Sequence, residues 1–183
     1  MIQPSPTDLL AARDRAIPDV LKTGLNVLFC GINPSLYSGA TGFHFARPGN
    51  RFWATLHGAG FTHRQLRPDD VDELLAAGIG MTNLVNRATA TAAELGQAEL
   101  LTGAAHLRES VRSHRPAAVA VVGISAYRVA FEAPRAVIGR QPEPLEGSLL
   151  WVLPNPSGLN AHYQLDRLIQ AYAELRRAVG PVG

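Results

Sequence analysis

The sequence predicts an α/β protein, a single three-layer α/β/α domain with a mostly parallel central sheet. Short continuous apolar runs, typical of strands buried on both faces, alternate along the chain with amphipathic segments at helical spacing. Such alternation favours strand–helix–strand units whose strands lie parallel. The length of 183 residues suits one domain with a proper core.

The first half of the chain contains two predicted strands. Gly24 and Gly31 bound the first of them, and Asn50 is placed to cap a helix. The predicted elements are, in order, a short helix over residues 8–16, a strand over 26–30, a Gly- and Pro-rich loop over 34–49, a helix over 51–59, a helix starting within 68–75 and a strand over 79–85. A loop as long as 34–49 inside a compact domain is usually functional.

In the second half of the chain, predicted helices and strands alternate more regularly. Pro116 stops a long helix, and the last strand leads directly into a polar turn. The predicted elements are a helix over residues 99–114, a strand over 117–122, a helix over 125–131, a short strand over 136–138, a strand over 149–153 and a helix over 163–179. We expect residues 1–24 to form an N-terminal arm that packs on the main domain, residues 25–183.

Composition excludes several classes of site. Cys30 is the only cysteine, so neither an intrachain disulfide nor a cysteine-ligated iron–sulfur cluster can form. The six histidines lack metal-ligand spacing, and no phosphate-binding Gly-rich loop or Ser-His-Asp arrangement is evident. A net charge of +2 with a pI of about 9.0 permits nucleic-acid binding without predicting it. We expect a cytoplasmic protein with no signal segment, no membrane span, and no metal or cofactor.

Two strands end in related polar turns, Gly31-Ile32-Asn33-Pro34 and Asn155-Pro156-Ser157-Gly158. The carboxyl ends of parallel strands share one sheet edge, so Asn33 and Asn155 are expected to face one cleft. An Asn side chain offers an acceptor and a donor, which suits the edge of a pyrimidine. Aromatic rings at 43–45 can stack on a planar base, and Gly158-Leu159 has the form of an apolar wedge.

The chain resembles the mismatch-specific uracil-DNA glycosylases, bacterial relatives of thymine-DNA glycosylase within the uracil-DNA glycosylase superfamily. The resemblance covers roughly residues 25–178. It rests on the two strand-end turns and on three further segments, namely residues 41–46 (TGFHFA), 50–53 (NRFW) and 82–85 (TNLV). Both turns occur in family order, each closing a predicted strand, with the aromatic segment between them.

The resemblance implies a role for each matching residue. Asn33 would hold the attacking water against C1′ of a nucleotide flipped out of the duplex. The base would be bound by Ile32, Phe45, Asn83 and Asn155, with Phe45 stacking on it, and the DNA by Ser157, Gly158, Leu159 and Asn160. Within that second set Ser157 would contact phosphate, and residues 158–160 would form a wedge that fills the gap and touches the widowed guanine. The helical spacing of Phe52 and Trp53 suits core packing instead.

Three positions depart from relatives. Some relatives have Lys at the position of Asn83, and others have Arg at that of Ala161. Superfamily members with fast hydrolysis have Asp at the position of Asn33. Asn cannot act as a general base, which typically contributes about 100- to 10,000-fold, so a slow enzyme is expected. A remote carboxylate could substitute, and the candidates are Asp69, Asp70, Asp72 and Glu73, although capping a helix suits this run better.

The resulting prediction is a monomeric repair glycosylase that excises uracil from G·U mismatches in duplex DNA and leaves an abasic site. Its partner would be double-stranded DNA containing uracil or a related lesion opposite guanine, on the nucleoid during repair. The alternative is a non-catalytic module that binds damaged DNA or nucleotides on the same α/β platform.

Overall fold

A computed structural model describes residues 3–158 and 160–180. Its α-helices are α1 (Pro6–Ala11), α2 (Leu36–Thr41), α3 (Phe52–Gly58), α4 (Val71–Ala76), α5 (Gln97–His114), α6 (Ile124–Ala130) and α7 (Leu165–Ala178), with a short 3-10 helix at Ala92–Glu94. Its strands are β1 (Val27–Gly31), β2 (Ile79–Asn83), β3 (Ala118–Val122), β4 (Gly139–Arg140) and β5 (Leu149–Leu153).

The strands form one five-stranded sheet in the order β2-β1-β3-β5-β4. All neighbouring pairs are parallel except β4 with β5, which is antiparallel. Successive side chains of β1 point to opposite faces, so Phe29 joins a core with Phe52 of α3 and Tyr172 of α7. Leu28 joins a second core with Leu107 of α5. Helices therefore cover both faces, and the predicted three-layer α/β fold is confirmed.

The segment 34–49 is not the continuous loop that its glycines suggest, because it contains α2. The Ser35 hydroxyl accepts a hydrogen bond from the Ser38 N–H and caps this helix. A Cβ at Gly39 would lie 2.7 Å from the Ala88 Cβ and 3.1 Å from the Ala12 carbonyl oxygen. Close packing therefore demands glycine at a position where local helix propensity would favour almost any other residue.

The short strand predicted at 136–138 is wrong. The edge strand β4 begins at Gly139, just after the predicted range, and is only two residues long. Val137 is 65% exposed, so its β-branched side chain lies on the surface rather than in the sheet. Such a short edge has little hydrophobic pattern from which to fix its position.

Part of the N-terminal arm packs along the edge of β2. Val20 forms an antiparallel bridge with Met81, and the backbone of Ile17 exchanges two hydrogen bonds with the Asn86 side chain. These contacts place Pro18 next to the segment that follows α2. Within the described residues, none of the helices has the length and apolar character needed to cross a membrane.

Candidate functional site

A cavity of about 200 Å³ opens at the carboxyl ends of the parallel strands. Its walls come from the segment after β1, the loop after α2, the end of β2 and the turn after β5. β1 lies between β2 and β3, where the strand order reverses, which is the usual ligand site of an open α/β sheet. The volume is below the roughly 300 to 1,000 Å³ of drug-sized ligand sites, so it suits a single base.

Asn33 lies in this cavity with its amide nitrogen fully engaged. Its Nδ2 donates to the Arg87 carbonyl oxygen at 2.9 Å, to Thr89 Oγ1 at 2.7 Å and to the Pro34 carbonyl oxygen at 3.2 Å. The Thr89 hydroxyl donates in turn to the Thr91 carbonyl oxygen at 2.8 Å, so towards Asn33 it can only accept.

This network fixes which way the Asn33 amide points. Carbonyl oxygens accept and never donate, so the nitrogen must face Arg87 and Pro34. The Oδ1 atom has no protein partner among the described residues and is not buried. Asn33 therefore offers the cavity one rigid hydrogen-bond acceptor, which can hold a water molecule but cannot take its proton.

Asn83 is oriented in the same way by His44. The His44 Nε2 lies 3.1 Å from the Pro18 carbonyl oxygen and so carries a hydrogen, which leaves Nδ1 as an acceptor for Asn83 Nδ2 at 3.4 Å. The Oδ1 of Asn83 then points towards Gly31, where a Cβ would meet it at 2.5 Å. Only glycine at this strand end leaves room for the Asn83 side chain.

His44 is buried, and desolvation lowers the pKa of its imidazole below the ordinary value of 6.5. Burial disfavours the charged form, so the ring is neutral at pH 7 and keeps the tautomer that orients Asn83. With Asn33 and Asn83, the cavity thus presents two acceptor oxygens, and the direction of each is set by the hydrogen bonds of the same side chain's amide nitrogen.

Phe45 lies with positive φ, +49°, between the cavity and the core. One face of its ring stacks on Phe52, with 4.0 Å between centroids and 4° between planes. The side chain is half-buried and lines the cavity, so its other face is available to a planar ligand. Within the described residues, the backbone N–H groups of Ile32 and Phe45 find no protein acceptor, so both can donate to a ligand.

The turn after β5 continues into a segment that we call the insertion loop, residues 155–163. Asn155 Oδ1 accepts from the Ser157 N–H at 3.0 Å, and the Asn155 backbone oxygen accepts from Asn160 Nδ2 at 2.9 Å. Asn155 and Ser157 both line the cavity, and Gly158 is exposed. Leu159, the apolar residue of the predicted wedge, lies outside the described residues.

No Asp or Glu lines this cavity among the described residues. The acidic run at 69–73 lies elsewhere, where Asp70 and Glu73 both pair with Arg64. Asp70 accepts a hydrogen bond from the Arg67 N–H, and this bond holds the pKa of its carboxyl below the usual value. Asp70 therefore does not cap α4 through its side chain as expected, and none of the four acidic residues lines the cavity that contains Asn33.

Sequence reasoning missed two residues that shape the site, His44 and Thr89. His44 stands inside the matched aromatic segment, which was its one available signal. Thr89 carries no pattern at all, because only the fold brings residues 87–89 against Asn33. In the part of the chain that the structure describes, no three His, Cys, Asp or Glu side chains are grouped as a metal ion requires.

Comparison with known proteins agrees with this architecture. The sequence model of the uracil DNA glycosylase superfamily matches residues 18–176. The fold is similar to the solution NMR structure of a candidate uracil DNA glycosylase from Methanosarcina acetivorans, with a TM-score of 0.60 and 20% identity over 90% of this chain and 97% of that one. That likeness concerns the fold alone, whereas the family match spans most of the sequence. The chain belongs to the uracil DNA glycosylase superfamily.

Proposed function

We propose that this protein is a monofunctional DNA glycosylase that flips uracil out of G·U mismatches in duplex DNA and hydrolyses its N-glycosidic bond. The main observation behind this proposal is the fixed orientation of Asn33. Its acceptor oxygen lies in a base-sized cavity beside Phe45, whose ring stacks on Phe52. Family membership supplies the uracil chemistry, and the G·U preference is the finer part of the proposal.

Base binding follows from the donors and acceptors of the cavity. Uracil presents an N3–H donor between two carbonyl oxygens, O2 and O4. The Asn83 Oδ1 is suited to accept from N3–H, and the backbone N–H groups of Ile32 and Phe45 are suited to donate to the carbonyl oxygens. The ring would stack on the open face of Phe45, a contact of about 1–3 kcal/mol.

Bond cleavage requires no general base in this scheme. The C1′–N1 bond breaks with its electron pair going to N1, and the resulting negative charge spreads to O2 and O4. Backbone N–H donors stabilise that charge where it develops. A water molecule donates a hydrogen bond to Asn33 Oδ1, adds to C1′ and releases its second proton to solvent, which leaves an abasic site. Without a carboxylate to accept the proton, this reaction is slow.

Selectivity for a mismatch has a thermodynamic origin. Extruding a base costs a few kcal/mol, and the cost is least where pairing is already weak, as in G·U. The wedge proposed for residues 158–160 would fill the vacated space. Ser157, at the rim of the cavity, would contact the backbone phosphate.

The test is incubation with a panel of duplexes that carry uracil opposite G or A, followed by alkaline cleavage at any abasic site. Strand cleavage that is faster for G·U than for A·U supports the proposal. Tight binding of G·U duplex without cleavage by the wild type would favour the alternative, a non-catalytic damaged-DNA module. Equal rates for both pairs would retain the glycosylase and remove the mismatch preference.

The single-turnover rate is expected to be nearly flat from about pH 6.5 to about 8.5, because no carboxylate of the described residues lines the cavity and burial keeps His44 neutral there. Below 6.5 the unfolded chain binds a proton at His44 before the folded one does, so stability falls as the pH falls. The checks are rates and unfolding midpoints across this range. A tenfold rise in rate towards higher pH would reveal an unrecognised general base.

5-Fluorouracil, whose anion is better stabilised, is expected to leave faster than uracil.

Leu159→Ala is expected to slow excision from duplex more than excision from single-stranded DNA, because only a duplex needs its gap filled. Truncating a buried wedge of this size costs about 10-fold or more on duplex, as for other large-to-small changes at apolar contacts. Single-turnover rates on both substrates measure the ratio. Equal losses would remove Leu159 from the wedge.

A further inference from the structure

Arg51 makes an unusual set of contacts with the insertion loop. Its guanidinium donates to the carbonyl oxygens of Ser157 at 2.6 Å, Tyr163 at 2.6 Å and Asn160 at 3.0 Å, and more weakly to that of Pro156 at 3.4 Å. The Arg51 backbone N–H also donates to the Pro156 oxygen, at 3.0 Å. One side chain thus holds both ends of the loop.

The residues next to Arg51 are held in place by packing and hydrogen bonds. Arg51 directly precedes α3, whose first residue, Phe52, is fully buried and stacks on Phe45. Asn50 Oδ1 accepts from the Phe52 N–H at 2.9 Å, which fixes the start of the helix. Adjacent residues therefore support the ring expected to stack on the base and the loop expected to enter the duplex.

A second contact restrains the loop independently. A Cβ at Gly158 would lie 2.7 Å from the Gly49 carbonyl oxygen, so the two backbones approach more closely than any other residue would permit. Gly49 and Arg51, two residues apart, thus both contact the loop, Gly49 at Gly158 and Arg51 at four carbonyl oxygens. Within the described residues, Arg51 has no carboxylate partner, so its hydrogen-bonding capacity is directed to these carbonyl oxygens.

We infer that Arg51 is the positioning residue that preorganises the insertion loop for entry into duplex DNA and fixes its distance from the base-binding cavity. This role rests on the proposed function. The guanidinium is suited to it because its planar set of donors reaches several carbonyl oxygens at once, which a lysine ammonium cannot do. Preorganisation matters because a loop that must be ordered upon insertion adds that ordering cost to the cost of flipping.

The test compares uracil in a G·U duplex with uracil in an unpaired bubble of the same strand, under single-turnover conditions. Arg51→Ala is expected to slow duplex excision by about 10- to 100-fold, the range for losing one or two hydrogen bonds to a charged group. Bubble excision should change by less than about threefold, as for an ordinary surface substitution. Arg51→Lys should recover only part of the duplex rate.

The matched control is Arg176→Ala. Arg176 also donates to backbone oxygens, those of Gly60 and Gly180, but it lies on α7 beside the far end of α3. Its loss should leave the duplex-to-bubble ratio at the wild-type value. Methylguanidinium, added at low concentration, should restore duplex excision by Arg51→Ala and do nothing for Asn33→Ala.

A flipping signal makes the test independent of cleavage. With non-cleavable 2′-fluoro-deoxyuridine opposite G and 2-aminopurine beside it, Arg51→Ala should give less fluorescence increase than the wild type at saturating protein. Equal losses on duplex and bubble, or wild-type flipping by Arg51→Ala, would overturn the positioning role. If the wild type flips the base but cleaves neither substrate, the proposed function is wrong, whereas the positioning role of Arg51 is retained.

Discussion

Asn33→Ala is expected to slow uracil excision by about 100-fold or more, because a reaction slows on this scale when one reactant, here the water molecule, is no longer held in position. The fold and the affinity for G·U duplex should remain close to those of the wild type, because the side chain is half-buried and its hydrogen-bond partners lie outside the helices and strands. Single-turnover rates, melting temperature and duplex affinity together test this. Wild-type rates in a folded variant would remove Asn33 from the mechanism.

Asn33→Asp is the informative companion, because on sequence grounds it should supply the missing general base. The structure predicts the opposite. A carboxylate oxygen in place of Nδ2 would face the Arg87 and Pro34 carbonyl oxygens at 2.9 and 3.2 Å, with nothing to donate. The variant is therefore expected to be less stable than the wild type and not faster. An accelerated rate that rises with pH would show that the surrounding carbonyl groups can move.

Gly31→Ala is expected to reduce excision by about 100-fold with the fold retained, since displacing a positioned group by about 1 Å can cost this much. The new methyl group would lie 2.5 Å from Asn83 Oδ1 and 3.4 Å from Phe45 Cζ. β1 is hydrogen-bonded on both sides and cannot shift, so the Asn83 side chain must move. Single-turnover rates and the affinity for 2′-fluoro-deoxyuridine duplex measure the loss.

A double-mutant cycle that combines Gly31→Ala with Asn83→Ala distinguishes displacement of the Asn83 side chain from direct obstruction of the base. If Gly31→Ala acts through Asn83, the double variant should be no slower than Asn83→Ala alone, because the displaced side chain is already absent. Fully additive losses would mean that the methyl group blocks the base directly. If the double variant regains the stability lost in Gly31→Ala but not the activity, the new methyl group of Gly31→Ala is strained against the Asn83 side chain.

Agreement between apolar pattern and local propensity explains what could be predicted from the sequence, and long-range packing explains the main element that was missed. The strand at 149–153 was placed correctly to the residue, and α5 to within two residues at its start, because strong apolar patterns agree with local propensity there. α2 was missed because Gly39 serves a contact with Ala12 and Ala88, which lie far away in sequence. β4 was misplaced because a two-residue edge strand has almost no pattern.

The sequence by itself determined the three-layer α/β class and the two polar turns at strand ends, since parallel strands bring such turns to one edge of the sheet. Only the tertiary structure decided how each polar group points. Whether Asn33 offers an oxygen or a nitrogen depends on the Arg87 carbonyl oxygen and the Thr89 hydroxyl, 54 and 56 positions away, and the direction of Asn83 depends on a histidine held by Pro18. Hydrogen-bond direction is a property of the partners, and partners distant in sequence leave no local signal at the residue they orient.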